Sequence, residues 1–506
     1  MTRHSVSTAL KRAPILAALV GVAVAVFATG SEAATSDLCV GSKTGCFSSI
    51  QAAVDAAQDG DRIEIGPGTF AGGITIGKSL ELVGASAGAT TIRGGGPVLT
   101  IGEPDGIDQP TVSISRVTIT GGFNGSTPLP FAALGGGVWI PSGAGNATGA
   151  TVTISDSVIT GNRADPASDD QVLGCPCAFG GGINNAGALT VTNTSITDNV
   201  AGATTFGPSA ANYAAGGGIV SAGAQATLTL LHSVVSGNRV AVNPPNGRNT
   251  DAGGIANFGG LLTIEDSVVG SNRSEVEAAV PSSFFSGDFT EANAGGLYLA
   301  PSSVATITRS RVSGNSVHST NTAGDASAEA AGIDAEGSLL LTDSSIQNNA
   351  AVAVVPAASG FLAETDGGGI QVRGSAVVRE SRITNNSLSS RSESGLALAS
   401  GGGLASIGGD LTLERTVVAA NGASATGVGG FNLGGGIVNL LFGGGPPELT
   451  VTDSVITANR LAASTGIVSQ GGGLYTADPF SGQPFPVAMA RTVIEGNKPD
   501  QCVGCE

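Results

Sequence analysis

A single eleven-residue phrase recurs through this chain, and its copies align without a gap. It reads LTVTDSVITAN at Leu449–Asn459, VTISDSVITGN at Val152–Asn162 and LTIEDSVVGSN at Leu262–Asn272. Further copies begin at Val112, Leu189, Leu228, Ala305, Leu339, Ala376, Leu411 and Val487. The last residues of successive copies are 34 to 43 positions apart. Such a period marks a stacked solenoid, in which a unit buries its apolar face only against its neighbours. Positions three and eight are apolar in every copy, as in Ile154 and Ile159 or Val451 and Ile456. Alternation with mostly polar second and fourth positions predicts a half-buried strand. The step from three to eight is odd, so one straight strand would send those side chains to opposite faces. A corner near positions five and six lets both point inward.

The eleventh position is Asn in ten copies: Asn162, Asn199, Asn238, Asn272, Asn315, Asn349, Asn386, Asn421, Asn459 and Asn497; the first copy has Gly122. Asn tolerates left-handed backbone and its amide can bond its neighbours, so a stack is expected to align these amides as a ladder at one bend. A second phrase, GGGI or a relative, precedes most copies, as at Gly180–Ile183, Ala252–Ile255 and Gly434–Ile437. The 11 to 21 residues between each Asn and the next triplet are variable and polar, and read as long loops on one edge. One layer is then three short strands, and the stack is an all-β, single-stranded, right-handed parallel β-helix (a solenoid), its hand following the rule for parallel crossovers. Layers ~4.8 Å apart give a rod of roughly 60–70 Å.

The ends differ from the middle. Residues 1–33 read as a signal peptide, 34–110 as an N-terminal cap with the first coils, 111–498 as the repeats and 499–506 as a C-terminal Cys tail. Arg3, Lys11 and Arg12 precede the uncharged stretch Ala13–Ser31, and small residues follow at Ala33 and Ala34, the pattern of an export signal. Phe47–Asp61 predicts a short helix, with Ser48 and Gln51 as a capping box and Gly60 as its end. It is expected to cap the open end of the stack, where bare strand edges invite aggregation. Six cysteines lie in close pairs, and an oxidising compartment makes disulfides the default for Cys39 with Cys46 and Cys502 with Cys505. Cys175 and Cys177 read the same way, with zinc as the alternative.

Loss of residues 1–33 removes three cations and one anion, leaving 19 Lys+Arg against 38 Asp+Glu. That balance excludes nucleic acid and anionic membranes as partners. The mature chain carries no second apolar span and is expected to be a monomer, secreted or at the cell surface.

The segment Ser49–Gly96, SIQAAVDAAQDGDRIEIGPGTFAGGITIGKSLELVGASAGATTIRGGG, resembles the opening of pectin-esterase-like and pectate-lyase-like β-helix proteins. The GGGI and ITGN pairing is similar to the GGA[ILV] and FxxN repeats of polymorphic outer-membrane proteins, with Val or Ile where Phe stands. The tail GNKPDQCVGC resembles that of secreted bacterial parallel β-helix repeat proteins. The resemblance implies the fold, which carries enzymes and adhesins alike.

No catalytic residue is assigned. The Asn-Thr-Asp, Asp-Asp, Gly-His-Gly and Arg-x-Lys series that a resemblance to galacturonases would require is missing. Twelve acids (Asp165, Asp169, Asp170, Asp251, Glu275, Glu277, Asp288, Glu291, Asp325, Glu329, Glu364 and Asp366) read as solvated loop charge. The fifth position reads as an external charge ladder. The residue after each GGGI should face outward, which makes Trp139, Tyr298 and Tyr475 candidate glycan contacts, because aromatic rings cover apolar sugar faces. The expected function is non-catalytic and adhesin-like: long loops binding an extracellular polysaccharide or a cell-surface partner, with no cofactor. The alternative is a carbohydrate-active enzyme, a lyase on acidic polysaccharide, which would call for Ca²⁺.

Overall fold

The computed structural model describes residues 37–125, 132–166, 177–203, 212–242, 247–279, 290–356, 361–441 and 447–505. They form a right-handed parallel β-helix, but each repeat coil from Thr111 to Thr476 supplies five strands where three were expected. In one fully described coil these are Ser303–Thr308, Arg311–Ser313, Ser316–Asn321, Ala326–Glu329 and Ile333–Ala335. Stacked in register they build sheets 1 to 5, of 14, 13, 10, 10 and 13 strands in that order. Sheets 1 and 2 come from the eleven-residue phrase and sheet 5 from the triplet phrase. Ile307 sits between Ile264 and Leu341 of the flanking coils. The third and eighth positions all join one apolar core that runs the length of the stack.

Sheets 3 and 4 occupy the segments expected to be loops. Their inward side chains are small: Val240, Ala292, Val317, Ala328, Ala351 and Ala399 belong to a second apolar cluster, distinct from the main core. Hydroxyl pairs also cross this arm, Thr250 with Ser274 at 2.9 Å and Thr365 with Ser390 at 2.7 Å. The segments read as polar because Ala, Ser and Thr alternate there, and side chains of that size suffice to fill a thin two-sheet arm.

Three corners per coil are each turned by a left-handed residue. The first is the fifth position, with φ of 48° at Asp156, 47° at Arg309 and 50° at Glu380. The residue after it is usually Ser or Thr and builds a hydroxyl ladder: the Ser233 N–H donates to Ser267 Oγ (3.0 Å) and the Ser310 N–H to Ser344 Oγ (3.0 Å). Some fifth-position side chains of opposite charge pair between coils, Arg309 with Asp266 at 3.0 Å and Arg415 with Glu380 at 2.7 Å. At the second corner the left-handed residue is the tenth, not the Asn: φ is 56° at Ser271, 57° at Asn348 and 56° at Ala420. The third corner uses the first triplet residue, φ 54° at Ala252 and 62° at Gly367.

The Asn residues are buried beside that second corner. Asn272 Nδ2 donates to Asn315 Oδ1 and Asn315 Nδ2 to Asn349 Oδ1, both at 3.0 Å. Asn272 Nδ2 also reaches the Val235 carbonyl at 2.9 Å. The series runs from Asn162, whose Oδ1 accepts the Gly122 N–H, to Asn497, whose Nδ2 donates to Gln501 Oε1 at 3.0 Å. The third triplet residue is always Gly because this ladder fills the space: a Cβ on Gly296 would lie 2.5 Å from the Gly332 carbonyl and 3.0 Å from Asn315 Nδ2.

Before the first coil, helix α1 spans Ile50–Ala56 with Ser49 as its N-cap, the Ser49 Oγ accepting the Ala52 N–H at 3.3 Å. The cap is thus one residue later than Ser48, because Gln51 is drawn off to bond Asp55 and the backbone of Thr75. Cys39–Cys46 and Cys502–Cys505 are disulfides, and Cys177 is disulfide-bonded. Cys175 and the signal-peptide reading lie outside the described residues. Among the described residues no helix is long and apolar enough to cross a membrane.

Candidate functional site

The third corner turns the outer faces of sheets 4 and 5 toward one another and makes a cleft parallel to the helix axis. Its columns follow from register. The residue just before each triplet reads Phe179, Ala215, Asp251, Asn293, Glu329, Asp366, Ser400 and Leu433 from coil to coil. Two residues earlier the column reads Cys177, Tyr213, Asn249, Glu291, Ser327, Glu364, Leu398 and Phe431. Sheet 5 supplies Tyr298, Asp334 and Gln371 in one column, with Phe258, Glu336 and Arg373 just beyond.

The middle of the cleft is acidic. Among the described residues Arg373 is its only guanidinium and serves three carboxylates: it is ion-paired with Glu329, and its Nη1 stands 3.5 Å from Asp334 and 3.4 Å from Glu336. Asp251 accepts from the Tyr213 hydroxyl and, at 3.1 Å, from Asn293 Nδ2. The Tyr298 hydroxyl donates to Glu336 at 2.8 Å. Ser327 Oγ donates to Glu329 at 3.1 Å. Asp251, Glu329 and Asp366 are buried, and Asp334 is 0% exposed.

Seven carboxyl groups around one guanidinium cannot all ionise cheaply out of water. Burial pushes Asp251 up to about 6, against the pull of hydrogen bonds from Tyr213 and Asn293. Burial and then the neighbouring Glu329 push Asp366 up to about 7, against Arg373 and a hydrogen bond with Ser400. Burial also raises Glu291, Asp334 and Glu364 well above the ordinary carboxyl range. Burial opposes the charge on Arg373, but Glu329, Asp334 and Glu291 more than restore it. Among the described residues no three acids, His or Cys are arranged to hold a metal ion.

Aromatic rings stand at both ends of the acids. Phe179, Tyr213, Phe258 and Tyr298 form a connected cluster, with centroids 5.5 Å apart for Phe179 and Tyr213 and 5.6 Å for Phe258 and Tyr298. At the other end Phe431 and Phe480 meet edge to face at 5.5 Å. There a cavity of about 250 Å³ has Leu398, Phe431, Leu440 and Phe480 as walls and Glu364 and Asp366 at its acidic side. The turn that presents Phe480 is tied by Asp478, whose carboxylate accepts the N–H groups of Phe480 (2.9 Å) and Ser481 (2.6 Å).

Two sequence expectations change here. Asp251, Glu275, Glu277, Glu291, Glu329, Glu364 and Asp366 lie on strands, not in solvated loops. Asp165 and Asp325 are also buried; Asp325 accepts the Leu362 N–H at 2.7 Å. Asp169, Asp170 and Asp288 lie outside the described residues. Of the three candidate aromatics, Tyr298 lines the cleft, whereas Trp139 and Tyr475 are only 7% and 2% exposed. Their column does lie on the outer face of sheet 5, but that face is folded against sheet 4 and offers those two rings no open side.

Residues 281–478 match the family described as "Right handed beta helix region". The described residues fold as a right-handed parallel β-helix. Among solved structures, it is similar to pectin methylesterase from Erwinia chrysanthemi at 12% identity and a TM-score of 0.27, over 55% of this chain and 79% of that one. It is also similar to the A-module of a mannuronan C-5 epimerase from Azotobacter vinelandii, at 13% identity and a TM-score of 0.34, over 89% of this chain and 95% of that one. No curated protein sequence matches it.

Proposed function

We propose that this is an exported protein whose corner cleft holds a polysaccharide chain along the helix axis and hydrolyses it at the acidic centre. The observation that carries the reading is the order of side chains along the cleft: aromatic rings, then clustered carboxyls, then aromatic rings. Rings at either end suit the apolar faces of sugars. The columns from Phe179 to Phe431 cover seven coil-to-coil steps, roughly 34 Å at ~4.8 Å each, a length that several linked sugars fill. In the centre Asp366, raised to about 7 by burial and Glu329, is placed as general acid, and Glu329, ion-paired with Arg373, as its partner. Two carboxyl groups in different environments are what glycosidic cleavage needs. The polymer is seated in a cleft between sheets, which replaces the loop-borne site expected earlier. A polyuronate would add anions to an acidic cleft, which counts against a lyase on acidic polysaccharide. Residues 1–33 serve as the export signal, helix α1 shields the first coil, and the mature chain works as a monomer.

The test is incubation of the full chain with neutral, acidic and amino-sugar polysaccharides, following both reducing ends and binding heat. New reducing ends, abolished in Asp366→Asn, are expected. Binding without cleavage would remove the catalytic half and leave an adhesin-like polymer binder. An ultraviolet-absorbing unsaturated product from a uronate would replace hydrolysis with β-elimination. Failure of every polysaccharide to bind would overturn the reading as a whole.

A further inference from the structure

Resting on that reading, we infer that the glycan taken by the cleft carries free ammonium groups: it is an amino-sugar polymer with unacylated nitrogens. The acids alone would not assign this, since an acidic cluster can be satisfied by protons. Hydrogen-bond bookkeeping inside the cluster supplies the second observation. Asp334 is completely buried and stands 3.5 Å from Arg373 Nη1, yet neither of its carboxyl oxygens accepts a hydrogen bond. Asn293, 7% exposed, donates its amide to Asp251 and leaves its Oδ1 unengaged. Glu364 Oε2 is buried without a partner as well. Three separate side chains thus present bare acceptors to one cleft. The charged and hydroxyl donors there are already committed: Arg373 donates to Glu329 and Glu336, Tyr213 to Asp251, and Tyr298 to Glu336. The amide of Gln371, buried beside Asp334 in the register, engages neither of its atoms, so it does not relieve Asp334.

A buried acceptor without a donor is costly, and a site short of donors favours a ligand that brings them. A primary ammonium brings three N–H donors, no acceptor and one positive charge. A sugar hydroxyl brings one donor and further acceptors; a uronate brings another anion. The flanking rings distinguish a glycan from a basic peptide, since Phe179, Tyr213, Phe258 and Tyr298 form one contiguous surface of the kind sugar faces cover, and aromatic faces also attract ammonium.

Calorimetric titration of the full chain near neutral pH, with hexamers of glucosamine, N-acetylglucosamine and glucose and with hexalysine, decides the matter. The glucosamine hexamer is expected to bind about ten-fold or more tighter than the acetylated and neutral hexamers, the equivalent of one lost charge-assisted hydrogen bond. Asp334→Asn and Glu364→Gln are expected to erase that preference while leaving the weak binding of the glucose hexamer. Glu364, the less buried of the two, covers the case in which Asp334→Asn does not fold. Equal affinity for all three sugars would overturn the ammonium inference and leave polysaccharide binding standing. Hexalysine binding as tightly as the glucosamine hexamer would overturn the assignment to a glycan. No binding of any sugar would take the underlying reading with it.

Discussion

Asn315 shows how one side chain can specify a coil. Its backbone N–H and Nδ2 both donate to Asn349 Oδ1 at 3.0 Å, Nδ2 also reaches the Val269 carbonyl at 3.1 Å, and its own Oδ1 accepts from the N–H and Nδ2 of Asn272. All of this is out of water, where amide groups must be matched or pay the desolvation penalty in full. Asn315→Ala therefore removes the acceptor of the Asn272 N–H and of one Nδ2 hydrogen, and one of the donors to the Val269 carbonyl. The expected loss is roughly 2–4 kcal/mol, read as a shift of the urea midpoint at unchanged slope. A loss below about half a kcal/mol, the level of ordinary surface substitutions, would show that the ladder is ornamental. The sequence makes the identity of this residue legible, but not its backbone. The preceding residue takes the left-handed conformation, and it is Gly, Ser, Asp, Asn or Ala by turns, so no single letter marks it.

At the scale of elements, strands with large aliphatic residues were readable and strands with small ones were not. Sheets 1 and 2 carry mainly Ile, Leu and Val at fixed positions, and their alternation survives in most copies. In sheets 3 and 4 the inward positions hold Ala, Ser, Thr or Val, and the outward ones include Glu, Asp and Arg, so the average looks like loop. The same averaging hid the candidate site. The column before the triplet contains Asp251, Asn293, Glu329 and Asp366 in successive coils, and extending the alignment one residue upstream of GGGI would have exposed it. Because the arm between sheets 3 and 4 has its own apolar cluster, it is expected to loosen separately from the main stack. Ala328 is 0% exposed inside it and lies between Ala292 and Thr365. Ala328→Leu overfills that space at a cost of roughly 1–3 kcal/mol. Hydrogen exchange should speed up in Ser316–Asn321 and Ala326–Glu329 while Ser303–Thr308 in sheet 1 stays protected. Equal loosening of all three strands would make the arm and stack one cooperative unit.

For the whole molecule, the buried acids invert the usual dependence of stability on pH. Asp251 and Asp366 are held at about 6 and about 7, and Glu291, Asp334 and Glu364 are displaced in the same direction. An unfolded chain ionises its carboxyls near pH ~4. Between about pH 4 and pH 7 the native state therefore binds more protons than the unfolded one, and stability falls as pH rises. The groups facing Asp366, namely Glu329, Glu364 and Arg373, act within this balance: the acids hold its proton on and Arg373 weakens that hold. Exposed carboxylates work the other way at the acid end. Hydrogen bonds from Arg309 and Arg491 lower Asp266 and Asp453, and hydrogen bonds from Ser481 and Phe480 lower Asp478, so their contribution is present above about pH 4 and lost only below it. The two sets place the maximum melting temperature near pH 4–5, with a decline toward neutrality. Asp366→Asn, which cannot ionise, should flatten the part of that decline nearest pH 7, because its proton no longer has to be given up. A melting temperature that instead climbs steadily from pH 5 to pH 8 in the full chain would mean that the acids of the cleft are ionised without penalty, and water or a bound cation would then have to reach all of them.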